Sequence, residues 1–231
     1  MDSSFTSLRQ TSLAFLDKQY DLAARAAELD LDSLNRSAPR GLRFGSTDEA
    51  SGLWQSAASG IATFLTFIGL ISPGEALDAL TRFYRRHPSR RGRSRASPAH
   101  DTRRVVNGTG NSERRTAQIP SDQSVRDLHR KALEWLTQEF EDAEWVSAVP
   151  VERLNELIRI GEYQGRDEIL SSWLTNTMAI RNFAVTIGLI SPLEARQLTA
   201  SFSEQHPGLR VMVRTIDRYV SHWQSALSAG T

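Results

Sequence analysis

One block of sequence occurs twice in this chain, and that repeat constrains the fold more than any other feature. When the 231-residue sequence is shifted by 119 positions, residues 48–88 fall over residues 167–207, and 16 of these 41 positions are identical. The longest shared run, Ile-Gly-Leu-Ile-Ser-Pro, occupies residues 68–73 and 187–192. Self-similarity of this length predicts two copies of one structural unit.

A weaker match extends the repeat towards the N-terminus once a one-residue gap is allowed, which makes the shift 120 there. We therefore predict two small helical-bundle units, residues 1–88 and residues 122–231, arranged as a pseudo-twofold pair or as separate beads. The upstream match places Leu13, Phe15, Leu16, Tyr20, Leu34 and Asn35 over Leu133, Trp135, Leu136, Phe140, Leu154 and Asn155.

The shared block reads as two helices joined by a tight corner. Its apolar residues recur at helical spacing, which predicts one buried stripe. Gly69 suits the left-handed position that ends a helix, and the Ser72-Pro73-Gly74-Glu75 sequence has the pattern of a capping box with proline in the first turn. No alternating strand pattern occurs, so we predict an all-α fold. The stripe contains Trp54, Ile61, Phe64 and Ile68, and in the second copy Trp173, Ile180, Phe183 and Ile187.

Other helices are predicted around this block. Each unit opens with an amphipathic helix, Ser7–Leu29 and Ser124–Glu144. A further helix is predicted near Val151–Tyr163, and its counterpart in the first unit is expected to be shorter or absent. The second unit alone continues into a C-terminal amphipathic helix, which we expect to cover apolar surface where the units meet. Its apolar positions are Met212, Ile216, Tyr219, Trp223 and Leu227.

The segment between the units, residues 89–121, is rich in Arg, Ser, Gly and Pro and poor in large apolar residues. Such a segment buries too little surface to offset its ordering entropy, so we predict a disordered linker. From Arg82 to Arg115, eleven arginines face only Asp101 and Glu113, a net charge of +9. Because the whole chain carries +1, the remainder carries −8, and two acidic units flank a basic linker.

These arginines are the candidate nucleic-acid-binding site, because clustered guanidinium groups can neutralise phosphates without recognising a particular base sequence. The alternative is a solvated linker with no nucleic-acid partner. A DNA-reading helix at 73–86 is less favoured than a packed corner, since its counterpart at 192–205 carries Glu194 and Glu204. The candidate DNA- or RNA-binding residues are Arg85, Arg86, Arg90, Arg91, Arg93, Arg95, Arg103, Arg104, Arg114 and Arg115.

No motif for catalysis, a cofactor or a metal stands out. The chain has no cysteine, which excludes thiolate sites and disulfides. It also lacks a phosphate-binding loop and a nucleophile elbow. His87 and His206 each precede a proline at a helix end, where contact with terminal carbonyls is a more common role than metal binding. The acidic pairs at 48–49 and 167–168 are expected at helix N-termini rather than in a paired-carboxylate site.

We therefore predict a non-enzymatic interaction, assembly or regulatory protein that binds a protein partner or a second copy of itself. The alternatives are a nucleic-acid-binding protein that uses the linker and an enzyme whose site is built from scattered polar residues. Residues 60–71 form an apolar run shorter than the roughly 20 residues of a membrane span, so no membrane insertion is expected. Without a secretory signal at Met1, the expected location is intracellular and cytoplasmic.

Overall fold

The computed structural model describes residues 3–38, 43–88, 124–150, 152–153 and 166–229. Within these ranges the chain is all-helical and contains no strand, which confirms the predicted fold class. The predicted linker and most of the helix predicted near 151–163 lie outside the described residues. The α-helices are α1 Ser3–Ala26, α2 Leu31–Ser37, α3 Thr47–Ile68, α4 Pro73–Arg86, α5 Val125–Ala148, α6 Arg166–Thr186, α7 Pro192–Gln205 and α8 Arg210–Ala229, with a short 3-10 turn at Pro207–Leu209.

The helices that open the two halves differ from the predicted bounds by a few residues at their ends. Helix α1 spans Ser3–Ala26 where Ser7–Leu29 was predicted, and α5 runs past Glu144 to Ala148. Ser124 lies just before α5 as its cap and forms a reciprocal capping box with Asp127. The short helix predicted as an alternative for the first unit is present as α2, which follows the Asp30 cap.

Both copies of the corner have the predicted geometry. Gly69 and Gly188 are left-handed, with φ of 80° and 72°, a conformation that glycine adopts without a Cβ clash. The backbone N–H of Leu70 donates to the Leu65 carbonyl oxygen, and that of Leu189 donates to the Ala184 carbonyl oxygen, as in a Schellman motif. Ser72 then caps α4 in a capping box with Glu75, and Ser191 caps α7 in the same way. The corner is therefore set by local sequence.

Helices from both halves meet in one continuous core. Phe64 of α3 and Phe183 of α6 contact edge to face with ring centroids 6.4 Å apart. Phe15 of α1 lies 5.2 Å from Phe183, and Trp135 of α5 lies 6.2 Å from Phe64. Trp135 is the counterpart of Phe15 at a shift of 120. In each half, the aromatic residue of the opening helix therefore contacts the central phenylalanine of the other half.

Helix α8 has no described counterpart in the N-terminal half. It packs along α6 and brings Tyr219 and Trp223 to Trp54 of α3, with ring centroids 5.8 and 6.0 Å apart. The prediction that this helix covers apolar surface where the two halves meet is thus consistent with its contacts. Among the described helices, none has both the length and the apolar character to cross a membrane.

Candidate functional site

A groove of about 930 Å³ lies between α6, α7 and α8, and we call it the α6–α8 groove. Its volume is within the range of pockets that hold small molecules. Helix α7 turns small side chains towards it, namely Ala195, Thr199, Ala200 and Ser203. These residues do not reach across to α8, so the space between the two helices stays open.

Arg181 is the central feature of the groove. Its side chain is 7% exposed, yet it carries a full charge. The guanidinium donates from Nε to Asn182 Oδ1 at 3.1 Å, from Nη1 to Thr199 Oγ1 at 2.5 Å and from Nη2 to Asp217. One buried group therefore bonds to all three helices. Removal of a charge from water is costly unless it is paired, and the α8 carboxylate supplies the pairing.

Asn182 extends this network to the solvent edge. Its Oδ1 accepts from Arg181, and its Nδ2 donates to Ser221 Oγ on α8 at 3.2 Å. Asp217 and Ser221 lie one helical turn apart on α8, so two points of this helix are bonded to α6. The floor and one wall of the groove are thus held in fixed positions.

Three further arginines line the groove with their side chains exposed to solvent. Arg196 lies on α7 and Arg210 and Arg214 on α8. Arg196 donates from Nε to the Pro192 carbonyl oxygen at 3.2 Å, which holds it against the start of α7. Within the described ranges none of the three forms an ion pair. Among the described residues that line the groove, Glu204 is the only carboxylate besides Asp217.

The corresponding positions of the N-terminal half carry different chemistry. At the shift of 119, Ala62 replaces Arg181, Leu77 replaces Arg196 and Tyr84 replaces Ser203. The Tyr84 hydroxyl accepts a 2.6 Å hydrogen bond from Gln55 of α3, so a large side chain contacts α3 there. The basic groove is therefore a property of the C-terminal half, where substitutions and α8 combine to form it.

Of the candidate nucleic-acid-binding arginines, the structure describes two. Arg86 donates to Asp21 of α1 at 2.8 Å, and the neighbouring Arg82 contacts both carboxylate oxygens of Asp17 at 3.1 Å. These pairs offset part of the positive charge of α4. Arg85 is exposed and forms no ion pair with a described residue. Those outside the described residues are Arg90, Arg91, Arg93, Arg95, Arg103, Arg104, Arg114 and Arg115.

The histidine predictions need correction. The rings of His87 and His206 pack on the phenylalanine one turn earlier, at centroid distances of 5.3 and 4.7 Å, and each Nε2 faces a carboxylate rather than terminal carbonyls. The fold also brings His129 Nε2 of α5 to 2.8 Å from Glu194 Oε1 of α7, across a sequence separation of 65 residues. The described residues contain no group of three or more acids and histidines suited to a metal ion.

Sequence reasoning missed the Arg181–Asp217 pair as a site. The available signal was a charged residue directly after Ile180 of the predicted stripe, at a position where the other copy has alanine. Its partner lies 36 residues away on another helix, and only the fold brings the two together. Comparison of the chain with protein-family models, curated proteins and solved structures gives no match.

Proposed function

We propose that this protein is a non-enzymatic helical interaction protein, built on an internal duplication, that holds a segment of a protein partner in the α6–α8 groove. The observation that carries the proposal is the groove itself. Its floor is fixed by the Arg181 network, and α7 and α8 form its two walls. Such a space suits a short helical or extended segment laid between α7 and α8.

The duplication is supported by contacts that recur at equivalent positions. Arg9 pairs with Glu75 in the N-terminal half, and His129 pairs with Glu194 in the C-terminal half. The Tyr20–Phe83 ring contact is likewise repeated by Phe140–Phe202, at centroid distances of 5.4 and 5.0 Å. Together with the reciprocal aromatic contacts between the halves, this is the pattern of an isologous interface formed within one chain.

A duplicated unit that binds its own copy has little of that shared surface left for other partners. What remains accessible are the features by which the halves differ, and these are α8, the groove and its arginines. Proteins commonly diverge at the surfaces that contact partners while the packing core is kept. The groove is accordingly the part of the described chain best suited to a partner.

Site-specific photo-crosslinking in the full-length protein tests this proposal. A benzoylphenylalanine at Ala200, which is exposed and lines the groove, should give a discrete covalent adduct in cells of the source organism. The same group at Gln197, exposed on the same helix but outside the groove lining, serves as the matched control. Equal adducts from both positions, or no adduct from Ala200, would contradict the proposal.

The mass of the adduct distinguishes two kinds of partner. A second protein gives the sum of two different masses, whereas self-association gives twice the 25.8 kDa of this chain. Sedimentation of the purified protein over a range of concentrations checks the second outcome. Assembly through the groove should be weakened by Arg214→Glu, which places a negative charge at its wall.

Nucleic-acid binding through the linker is a second proposal, favoured by one observation. Arg85, at the end of α4 next to the linker, is exposed and without an ion pair among the described residues, whereas Arg86 is held by Asp21. Binding to generic DNA or RNA should then fall steeply with salt, and Arg85→Gln should weaken it more than Arg86→Gln. Binding that survives replacement of Arg90, Arg91, Arg93 and Arg95 by Gln would contradict it.

A further inference from the structure

We infer that the partner segment held in the α6–α8 groove is acidic, with at least two carboxylates that bind the arginines on the opposite walls. This inference rests on the proposed function and names the chemistry that the groove recognises. It concerns the groove of the C-terminal half alone and is independent of the basic linker.

The first step is the charge that remains after internal pairing. Arg181 is neutralised by Asp217, so it fixes the floor without adding net charge. Arg196, Arg210 and Arg214 remain, and Glu204 is the one unpaired acidic residue among the described residues that line the groove. The groove thus carries an excess of positive charge, and a neutral or basic segment would leave those guanidinium groups without an anionic partner. A carboxylate offers each of them a paired, charge-assisted hydrogen bond.

The second step is the placement of the charges. Arg210 and Arg214 lie one turn apart on α8, about 6 Å along the helix axis. Arg196 lies on the opposite wall near the start of α7. The lining also includes Val185 of α6, Ala195 of α7 and Val213 of α8, which add apolar side chains to the groove. The matching segment therefore has small apolar residues between acidic ones, with carboxylates about four residues apart if it is helical.

A nucleic-acid backbone fits this arrangement less well. Its negative charges are closely and evenly spaced, so some of them would meet Glu204 and the apolar lining residues. A polypeptide can place carboxylates at the arginines and apolar side chains between them. A polyanion would also use Arg218, which is exposed one turn beyond Arg214 on α8 but does not line the groove. Arg218 is therefore the discriminating residue.

Fluorescence anisotropy with the full-length protein provides the test. The probe is a labelled helical peptide with glutamates four residues apart and alanine or leucine between them, and the reference is the same peptide with every glutamate changed to glutamine. The glutamate peptide should bind and the glutamine peptide should not. Arg214→Gln and Arg196→Gln should each weaken binding about tenfold, the effect of losing one charged hydrogen-bond pair. Arg218→Gln should change it less than about twofold, as expected for an exposed charge outside the groove.

Several results would overturn the inference. Equal affinity for the two peptides would show that the groove does not recognise their charge. An equal loss of affinity in Arg214→Gln and Arg218→Gln would show a diffuse electrostatic attraction to α8. Stronger binding of single-stranded DNA than of the glutamate peptide, with the same loss from Arg218→Gln, would assign the surface to nucleic acid. Competition by millimolar inorganic phosphate but not by acetate would replace carboxylate with phosphate as the recognised group.

The outcome is separable from that of the proposed function. If an adduct forms at Ala200 and persists in Arg196→Gln and Arg214→Gln variants, the groove is a partner site and the acidic chemistry is wrong. If the glutamate peptide binds as described but no adduct forms at Ala200, the groove reads acidic segments and the proposed protein partner is wrong. Circular dichroism of each variant, with unchanged helicity, confirms that a loss of binding is not a loss of fold.

Discussion

Phe64 and Phe183 occupy the same position of the repeated block and contact each other across the centre of the molecule, edge to face with ring centroids 6.4 Å apart. Both side chains are fully buried. A residue that meets its own counterpart lies on a local twofold axis, as at the centre of a symmetric dimer. Here a single chain supplies both sides of that contact, with Phe15 and Trp135 flanking it reciprocally.

The first prediction concerns this central pair. Phe64→Ala and Phe183→Ala should each lower the free energy of unfolding by about 3–5 kcal/mol, since each leaves a large cavity in the core. In the double variant, the loss of unfolding free energy should be about 1 kcal/mol smaller than the sum of the two single losses. The reason is that either single variant already removes the ring–ring contact. Urea unfolding of the full-length chain measures all three. Full additivity would show that the two halves are not coupled through these rings.

The second prediction concerns the two corners. Ser72→Ala and Ser191→Ala should each cost about 1 kcal/mol, because each removes the cap of a capping box with the same geometry. Gly69→Ala and Gly188→Ala should cost about 1–2 kcal/mol each, because φ is positive at both glycines. Thermal and urea unfolding give these values. Unequal effects at the two corners would show that tertiary contacts outweigh the local sequence.

These corners show how far the sequence could predict the fold. Serine, proline, glutamate and glycine act within a few residues of one another, so their roles follow from local rules. The buried stripe of α3 follows from its period in the same way. The all-α class, the two corners and the added C-terminal helix were therefore predictable. The end of α5 was not, because Glu144 does not stop a helix whose next turn is still supported by packing of Val146.

The candidate site was much less predictable than the fold. Arg181 and Asp217 are 36 residues apart and belong to different helices, and Thr199 comes from a third. Nothing in the spacing of these residues indicates that they meet. The same holds for His129 and Glu194, at a separation of 65 residues. The prominent arginine clusters drew the prediction to the linker, which lies outside the described residues.

The third prediction is a pH dependence of stability. Partial burial raises the pKa of Glu75, but hydrogen bonds from Arg9 and Ser72 outweigh it, and the net pKa lies below the ordinary value of 4.5. A carboxylate with a lowered pKa in the folded state stabilises the fold above its unfolded pKa. That contribution is lost as the pH falls through the folded value.

Glu75→Gln should therefore lower the urea midpoint at pH 7, and the difference from the unaltered protein should shrink as the pH is lowered from 4.5 towards 3. Asp78→Asn, an exposed carboxylate on the same helix, is the control and should change the midpoint little at any pH. A Glu75→Gln difference that stays constant down to pH 3 would show that the ionised carboxylate is not the stabilising species.

The fourth prediction concerns a buried amide between the halves. Asn176 is 1% exposed, donates to Ser56 Oγ at 3.2 Å, and its Oδ1 accepts no hydrogen bond from a described residue. Its counterpart in the repeat is Ala57. Asn176→Ala removes one weak hydrogen bond and also one unsatisfied buried oxygen, so the free energy of unfolding should change by less than about 1 kcal/mol.

Ile180→Ala on the same helix is the control for this variant and should cost about 2–5 kcal/mol through its cavity. Both are measured by urea unfolding. A loss above about 2 kcal/mol for Asn176→Ala would mean that the amide is fully satisfied and contributes more than one hydrogen bond to the contact between the halves.

The last prediction concerns the Arg181–Asp217 pair in the groove. Asp217→Asn keeps the shape and an acceptor oxygen but leaves a buried guanidinium without a counter-charge. Removal of one member of a fully buried pair costs 3–5 kcal/mol, and because the Asp217 side chain is 36% exposed we expect about 2 kcal/mol here. Glu134→Gln, which removes the partner of Arg130 in a surface pair more than half exposed, should cost less than about 0.5 kcal/mol.

The same variant affects ligand binding in the opposite direction. With Asp217 neutral, the groove gains one unit of positive charge, and the glutamate peptide should bind severalfold more tightly even though the fold is less stable. Restoring neutrality with Arg181→Met in the Asp217→Asn background should recover stability and remove the gain in affinity, because a buried pair can be replaced by apolar side chains with little loss. If Asp217→Asn lowered both stability and peptide affinity, the added positive charge would not favour the glutamate peptide, and recognition of an acidic segment by the groove would be contradicted.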